Sequence, residues 1–447
     1  MSDAPEFDLL VVGAGMAGLS AAARAAARGV TVCLVEEAPR VGGSAAYAEF
    51  IWTAPSFEAL AAVNPGGDPA LGRALVDGYE PAIEWVRSLG VTVLEPVDLL
   101  GFGRGRKTDL AAYLRACEGL LREAEGCETL LGWSPTALEL ADGAVIGADL
   151  RGADGRSRSV AARFTLLASG GFAADPELRA RHIHPNAREM LLRANPHSRG
   201  VGLRLGEAAG AAFGKEDAGF YGHLMPSGVK VDDPFEFAML TTYHSEHGVL
   251  VNLDGERFID ETVGDQLNAI ALVEQRENRC LLVTDERVHR DWMLKPYVEG
   301  LEPVDKFQLA YRRGARCATA EDLDEFAALP EAWGYPGEKV RDLLLDFNRS
   351  CRAGDPQPSR RRDATPLLDP PYYVLEVSSA ITFTMGGLLI DPDARVLDRR
   401  GDPVPGLLAA GGDAGGLYKR AYAGGLAPAL VFGLRAAETA VAGARRR

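Results

Sequence analysis

The sequence predicts an α/β protein in which a parallel-sheet domain is interrupted by an inserted α+β domain. Three observations support this fold class. A strand–turn–helix–strand pattern occupies residues 7–36, the composition changes over 217–362, and an α/β pattern returns in 363–447. We therefore predict one domain in two parts, 1–216 and 363–447, with the inserted domain at 217–362 covering the substrate.

The N-terminal pattern is that of a Rossmann-type unit. Phe7–Val12 is a short apolar run typical of a buried parallel strand, and a G-x-G-x-x-G string follows at 13–18. Leu19–Arg28 is rich in alanine and predicts a helix, and Val30–Val35 predicts the second strand, which leads into Glu36. A glycine string in this context predicts a dinucleotide site.

Each glycine of the string has a separate task in such a site. Gly13 permits the tight turn, Gly15 lets the backbone approach a pyrophosphate, and Gly18 allows the helix to pack closely on the strand. The pyrophosphate then lies at the positive end of the helix. Glu36, 18 residues beyond Gly18, is placed to accept hydrogen bonds from a ribose.

Two further segments favour FAD over NAD. Residues 36–44 contain a second glycine pair, and together with residues 405–413 they resemble the corresponding segments of FAD-dependent oxidoreductases. We predict FAD as the cofactor and no metal. The predicted FAD contacts are Gly13, Gly15, Met16, Ala17, Gly18, Glu36, Glu37, Arg40, Gly42, Gly43, Ser44, Ala45, Ala168, Ser169, Gly170, Gly412, Asp413, Gly425 and Leu426.

Four blocks in family order resemble the fumarate reductase/succinate dehydrogenase flavoprotein superfamily. They are residues 7–53, 168–172, 248–261 and 384–433, which together span nearly the whole chain. Within the superfamily, the sequence is most similar to the 3-ketosteroid dehydrogenase and tricarballylate dehydrogenase branches. The resemblance implies an FAD-dependent enzyme that dehydrogenates a carbon–carbon bond or reduces the corresponding double bond.

The sequence also departs from the superfamily pattern. Where dicarboxylate-reducing members carry arginine, histidine and arginine, this chain has Gly264, Phe383 and Tyr422. The resemblance therefore implies that fumarate and succinate are poor substrates. Members that bond FAD covalently carry a histidine where this chain has residues 45–47, Ala-Ala-Tyr, so we expect noncovalent FAD.

Tyr422 matches a tyrosine that grips the substrate ketone in the ketosteroid branch. That branch has its proton-abstracting tyrosine at the position of Gly264, so the catalytic base is not identified by the motif. Histidine and tyrosine side chains in the inserted domain are the remaining candidates, because they can exchange protons near neutral pH or bind a carbonyl oxygen. The candidate catalytic residues are Tyr422, Tyr243, His223, Tyr221 and His244.

The leading hypothesis is an FAD-dependent oxidoreductase that acts α,β to a carbonyl of an apolar small molecule, in either direction. The first alternative is a carboxylate-acting enzyme of the fumarate reductase or tricarballylate dehydrogenase type. The second is a flavin-binding protein without turnover, since the base is missing and fold does not fix function. The electron donor or acceptor is left open.

Composition limits the partners and the location. The formal net charge of −15 disfavours nucleic acid, an RNA-modifying flavoprotein and anionic membrane surfaces. The six cysteines form no C-x-x-C pair, which indicates a reducing compartment. The acidic N-terminus lacks the basic region of a signal peptide, and no apolar run indicates a membrane span, so we expect a cytoplasmic protein.

Overall fold

A computed structural model describes residues 6–99, 102–231, 236–296 and 302–445. Most of the acidic N-terminal segment used above lies outside these residues. The chain divides into two compact units. The first unit contains residues 1–178, 194–220 and 383–447, and the second contains residues 179–193 and 221–382.

The strands of the described residues are numbered in chain order. They are β1 (Phe7–Val12), β2 (Val32–Glu36), β3 (Phe50–Thr53), β4 (Val93–Leu99), β5 (Gly103–Thr108), β6 (Glu128–Leu131), β7 (Trp133–Ala141), β8 (Ala144–Gly152), β9 (Ser157–Leu167), β10 (Leu191–Leu192), β11 (Phe213–Gly214), β12 (Phe220–Pro226), β13 (Val249–Asn252), β14 (Arg279–Asp285), β15 (Cys317–Ala320), β16 (Tyr372–Thr384), β17 (Gly387–Leu389), β18 (Arg395–Leu397), β19 (Pro403–Ala409) and β20 (Ala414–Gly415).

The α-helices are numbered in the same way. They are α1 (Met16–Ala27), α2 (Phe57–Val63), α3 (Pro69–Ser88), α4 (Leu110–Glu123), α5 (Pro176–His182), α6 (Val201–Ala208), α7 (Glu236–Leu240), α8 (Asp265–Val273), α9 (Glu286–Val288), α10 (Lys306–Arg312), α11 (Gly337–Ala353) and α12 (Leu426–Ala444).

The first unit is organised around a mainly parallel sheet in the order β18-β19-β9-β1-β2-β6. Its central strand β1 pairs in parallel with both β2 and β9, and residues Leu9–Val11 are completely buried. Helix α1 packs closely on α12, because a Cβ at Gly433 would lie 2.5 Å from the Ala17 carbonyl oxygen. Strands β7 and β8 form a hairpin around Asp142 and Gly143, both at positive φ.

The second unit is built on a six-stranded sheet in which β16 is the central strand. Strands β10, β12, β14 and β15 all pair with β16, and β13 extends the sheet from β14. One face carries a core that includes Val251, Leu281, Phe326, Phe347 and Val374. Helix α11 contributes to this core through its buried face.

The observed boundaries differ from the predicted ones in three places, of which the smallest is the start of the main inserted segment at 221 and not 217. Residues 179–193 belong to the second unit because β10 pairs with β16, with Leu192 opposite Ile381. Residues 363–382 also belong there, since β16 is the central strand of that sheet. The last boundary between the units therefore falls between residues 382 and 383 and not between 362 and 363.

Residues 44–125 contain a three-stranded sheet in the order β3-β5-β4, alongside α2, α3 and α4. Glycines and charged residues dominate β5, which hides its strand character from a propensity argument.

Helix α12 has the length and hydropathy needed to cross a membrane, whereas no such apolar run was expected from the sequence. In the structure, 61% of the most apolar 18-residue stretch of this helix is buried. Residues Ala427, Leu430, Phe432, Ala436 and Ala440 are nearly inaccessible. Burial of this kind is also found in core helices, so α12 carries no conclusion about a membrane.

Candidate functional site: a flavin cradle and a polar cluster

The glycine-rich turn has the geometry that a bound diphosphate needs. A Cβ at Gly18 would lie 1.9 Å from the Gly13 carbonyl oxygen, and Gly13 itself has a φ of 102°. A Cβ at Gly15 would meet no atom within 4 Å. Gly15 is also the N-cap of α1 and provides no side-chain hydrogen bond to the helix. The first amides of α1, at Met16 and Ala17, therefore face a space that an anion can enter.

The second glycine pair lies beside this turn, as its proposed role requires. The Gly42 amide donates to the Ala14 carbonyl oxygen at 2.8 Å. A Cβ at Gly43 would lie 3.1 Å from the Gly15 Cα and 3.9 Å from Nδ2 of Asn195. Asn195 was not predicted, and it enters this cradle because residues 194–220 belong to the first unit.

Glu36 is placed at the end of β2, beside the turn. Its Oε2 accepts a hydrogen bond from the Ala14 amide at 2.7 Å, and its Oε1 accepts one from the Ala38 amide at 2.9 Å. The carboxylate therefore holds the turn in shape. Each oxygen keeps a lone pair for a ribose hydroxyl, so the predicted contact stays a prediction.

The segments at residues 168–171 and 411–413 form the other side of the cradle. The Ala168 amide donates to the Val12 carbonyl oxygen at 2.8 Å, which continues the pairing of β1 with β9. Asp413 is completely buried, and its carboxylate accepts from the Ser169 amide at 2.5 Å and the Gly171 amide at 2.9 Å. Burial raises the pKa of Asp413, while these amides oppose the shift. Its side chain thus supports the backbone of the two turns.

The remaining predicted FAD contacts also lie in the first unit. Gly412 packs against Gly170, because a Cβ there would lie 2.6 Å from the Gly170 carbonyl carbon. Ala45 is buried. Of these predicted contacts, Glu37, Arg40 and Ser44 have exposed side chains. Gly425 is the N-cap of α12 and gives it no side-chain hydrogen bond, so α12, which begins at Leu426, presents a second set of amides without an internal partner.

Tyr422 lies at the N-terminus of α12 within a group of aromatic rings. Its ring centroid is 5.6 Å from Trp52, 5.9 Å from Tyr418 and 6.1 Å from Phe383. A Cβ at Gly425 would lie 3.0 Å from the Tyr422 hydroxyl, so this hydroxyl is close to the start of the helix. Trp52, Phe383 and Tyr422 are only partly buried. The surface they form is apolar and has one hydroxyl.

In the second unit, His223 forms a buried pair with an aspartate that was not predicted. His223 Nδ1 lies 2.6 Å from Asp265 Oδ2, and Asp265 Oδ1 accepts from the Leu224 amide at 3.1 Å. Burial lowers the pKa of His223, and the Asp265 carboxylate opposes the shift. A neutral imidazole that donates from Nδ1 presents a lone pair at Nε2, and Nε2 is buried with no partner among the described residues.

Two of the other predicted residues flank this histidine. The Tyr221 ring centroid is 4.9 Å from that of His223, and the Tyr243 centroid is 5.1 Å away, both in edge-on contact. Burial raises the pKa of Tyr243, so its phenol is neutral over the ordinary pH range. We call Tyr221, His223, Tyr243 and Asp265 the polar cluster.

His244 does not join the polar cluster. It is completely buried, and neither ring nitrogen has a hydrogen-bond partner in the described part of the chain. Burial first, and then the charges of Lys306 and His247, lower the pKa of His244 to about 3. Unlike His223, His244 has no carboxylate among the described residues to offset the cost of charging its ring, so the structure does not support the predicted catalytic role.

Asp265 follows Gly264, the position where the superfamily motif would place a proton-transferring side chain. Gly264 has a φ of 102°, and a Cβ there would meet nothing within 4 Å. In the sequence, the one signal for Asp265 was its place directly after Gly264, where the proton-transferring side chain is missing. Only the fold shows that its side chain reaches His223, 42 residues earlier.

A family model described as an FAD binding domain (FAD_binding_2) matches residues 8–426. The chain belongs to this FAD-binding family. FAD is therefore its cofactor, and the cradle built on Gly15 fits it, because the open space and the α1 amides suit a diphosphate.

Named relatives identify the chemistry of the family. The chain is 25% identical to a vinyl phenol reductase of Lactiplantibacillus plantarum, over 93% of this chain and 91% of the relative. It is 26% identical to the fumarate reductase (cytochrome) of Shewanella frigidimarina, over 97% and 76%. A solved 3-ketosteroid Δ1-dehydrogenase from Sterolibacterium denitrificans shares the fold, with a TM-score of 0.74, 20% identity and coverage of 98% and 99%. The protein is an FAD-dependent oxidoreductase.

Proposed function

We propose that this flavoprotein oxidises or reduces a carbon–carbon bond conjugated to a carbonyl group, on a Rossmann-type domain with an inserted cap. The parallel strands on either side of β1 and the separate sheet around β16 support this architecture. When bound, FAD supplies hydride transfer to or from the β-carbon of the substrate. The named reductases and the dehydrogenase among its relatives support this bond type.

The observation that carries the proposal is the position of Tyr422. Its hydroxyl lies at the start of α12 on a partly exposed aromatic surface formed with Trp52 and Phe383. Such a surface accepts an apolar molecule, and one hydroxyl donor can stabilise the charge that develops on a carbonyl oxygen during the reaction. We propose that Tyr422 polarises the substrate carbonyl.

His223 supplies the proton transfer that the motif lacks. Its Nε2 is the acceptor for the α-proton in dehydrogenation, and it returns the proton in the reverse direction. Asp265 is a positioning residue, because its bond to Nδ1 fixes the tautomer that leaves Nε2 unprotonated. Burial raises the free-energy cost of charging the imidazole, and the same carboxylate offsets part of that cost.

The direct test is anaerobic reoxidation of the chemically reduced flavoprotein. We expect an α,β-unsaturated carbonyl compound to restore the absorbance of oxidised flavin at a rate far above that of fumarate. The motif positions at Gly264, Phe383 and Tyr422 hold no charge to offset the desolvation of two carboxylates. Fast reoxidation by fumarate alone would exclude the proposed substrate preference, and no reoxidation by any unsaturated compound would exclude the reaction.

We also propose that FAD is bound without a covalent link. The segment next to the second glycine pair has alanine at 45 and 46 and tyrosine at 47, and none of these side chains forms the histidyl bond found in covalent members. Acid precipitation should release all of the yellow colour into the supernatant. Flavin that stays with the precipitated chain would contradict this proposal.

A further inference from the structure

Arg193 occupies a position in the second unit that none of the sequence motifs marks. It follows β10, and its amide donates to the Ile381 carbonyl oxygen at 2.9 Å. Its Nη1 donates to the Thr382 hydroxyl at 3.0 Å. Strand pairing and this hydrogen bond therefore fix both the backbone and one end of the guanidinium.

The guanidinium has no anionic partner in the described part of the chain. Among the described residues, Nε is buried without a hydrogen-bond partner, and the one side-chain hydrogen bond of the guanidinium runs from Nη1 to the neutral Thr382 hydroxyl. The carboxylate of Asp265 is engaged by His223 and by the Leu224 amide. Leaving a half-buried cation without a counter-charge costs free energy, which an anionic ligand would recover.

The unpaired charge lies beside the polar cluster. Arg193 follows β10 and His223 lies in β12, and both strands pair with β16. Burial is the largest influence on the pKa of His223 and of Tyr243, and the positive charge of Arg193 acts on both groups in the lowering direction, so its field reaches both. His223 Nε2, which is buried without a partner, adds a second unsatisfied polar atom at the same place. Two independent unsatisfied groups thus indicate a polar ligand in this unit.

We infer that Arg193 is a carboxylate-binding residue and that the substrate is a monocarboxylic acid. A guanidinium presents two parallel N–H groups that match the two oxygens of a carboxylate. One unpaired guanidinium matches one carboxylate, and the motif positions that would bind a second one hold Gly264, Phe383 and Tyr422. Naming the acid as the substrate rests on the proposed function, whereas the binding role of Arg193 does not.

The test uses two small probes that differ in charge and have the same carbon skeleton beside the double bond. Crotonate carries a carboxylate where pent-3-en-2-one carries a methyl ketone, and both are small enough for any pocket that holds a larger enoate. Their dissociation constants are measured by calorimetric titration of the FAD-loaded protein. Arg193→Gln should weaken crotonate binding by roughly 10- to 150-fold, because a charge-assisted pair is lost. Its affinity for the ketone should stay within about twofold of the wild-type value, since the ketone has no charge for Arg193 to pair with.

Two variants serve as controls. Arg312→Gln removes the same charge from an exposed position on α10 and should leave crotonate affinity unchanged. Arg193→Lys keeps the charge without the two-pronged geometry and should give an intermediate loss. It also provides a test if Arg193→Gln does not fold.

Several results would overturn the inference. These are equal crotonate affinity in Arg193→Gln and wild type, equal weakening of both probes, undetectable crotonate binding to wild type, or loss of FAD from a folded Arg193→Gln. Failure of the proposed function gives a different pattern. In that case crotonate binding depends on Arg193, but neither probe reoxidises the reduced flavin of the wild-type protein.

Discussion

The flavin cradle and the polar cluster are built by different means. In the first unit, backbone atoms in close contact define the site, and a Cβ at Gly13 would lie only 2.4 Å from the Ala168 carbonyl oxygen. In the second unit, side chains from β12 and α8 define it, through the bond between His223 and Asp265. A site formed by the backbone depends on residues with small side chains or none. A site formed by side chains depends on specific chemical groups.

This difference predicts separable phenotypes. Changes to the cradle should alter the affinity for FAD, and changes to the polar cluster should alter turnover while FAD stays bound. Tyr422 is the exception, because it belongs to the first unit but is proposed to act in catalysis. A change there should alter turnover and not the affinity for FAD.

The largest expected effect is that of His223→Asn. Removing a positioned proton-transfer group should lower kcat by about 10²- to 10⁴-fold. FAD content, measured from the flavin absorbance of the purified protein, should stay at the wild-type level. Asp265→Asn should retain more activity, because it disturbs the tautomer and leaves the imidazole in place. Full turnover in His223→Asn would remove the polar cluster from the mechanism.

Tyr422→Phe should lower turnover by about 10²- to 10³-fold, the typical effect of losing one donor to a developing oxyanion. The ring remains, so its packing against Trp52 and Tyr418 should keep the fold and the bound FAD. Turnover and the flavin spectrum of both proteins are compared. A variant with full FAD and a rate within about threefold of wild type would show that Tyr422 only packs at the turn.

Glu36→Ala should weaken FAD binding by roughly 10- to 150-fold, since a charge-assisted hydrogen bond to a ribose is worth about 1.5–3 kcal/mol. Because Glu36 also accepts from the Ala14 and Ala38 amides, the variant also loosens the turn. Glu36→Gln separates the two roles, because it keeps one acceptor oxygen in nearly the same place. An unchanged FAD dissociation constant in Glu36→Ala would exclude both roles.

The smallest effect is expected at His247, which lies outside the polar cluster. Burial opposes its charging, but the bonds to Asp363, at 2.7 Å, and to Glu246 outweigh this and raise the pKa of His247. The pair should therefore stabilise the fold below the ordinary pKa of histidine, 6.5. This stabilisation should disappear as the pH rises through the raised value.

His247→Gln should accordingly lower the urea midpoint more at about pH 5.5 than at about pH 8.5, by an amount that corresponds to about 1 kcal/mol. FAD content and turnover should not change. An equal loss of stability at both pH values would show that His247 acts through its stacking on Trp292 and not through its charge.

Local sequence was sufficient for the glycine turn and insufficient for the catalytic candidates. The spacing of Gly13, Gly15 and Gly18 between a strand and a helix has few structural solutions, so the turn and its contacts follow from it. Four of the five catalytic candidates came from a region rich in histidine and tyrosine, and Tyr422 came from the C-terminal motif. The structure joins Tyr221, His223 and Tyr243 and leaves His244 without a hydrogen-bond partner in the described part of the chain.

The sequence by itself determined the FAD family, the site of the glycine turn and the position of Tyr422, because each depends on residues that are close in the chain. Only the tertiary structure brought Asp265 to His223 and left Arg193 without a counter-charge among the described residues. These relations depend on the pairing of β10 and β12 with β16, which joins residues far apart in sequence. Pairing at that range is set by the packing of the whole sheet, and local residue patterns do not encode it.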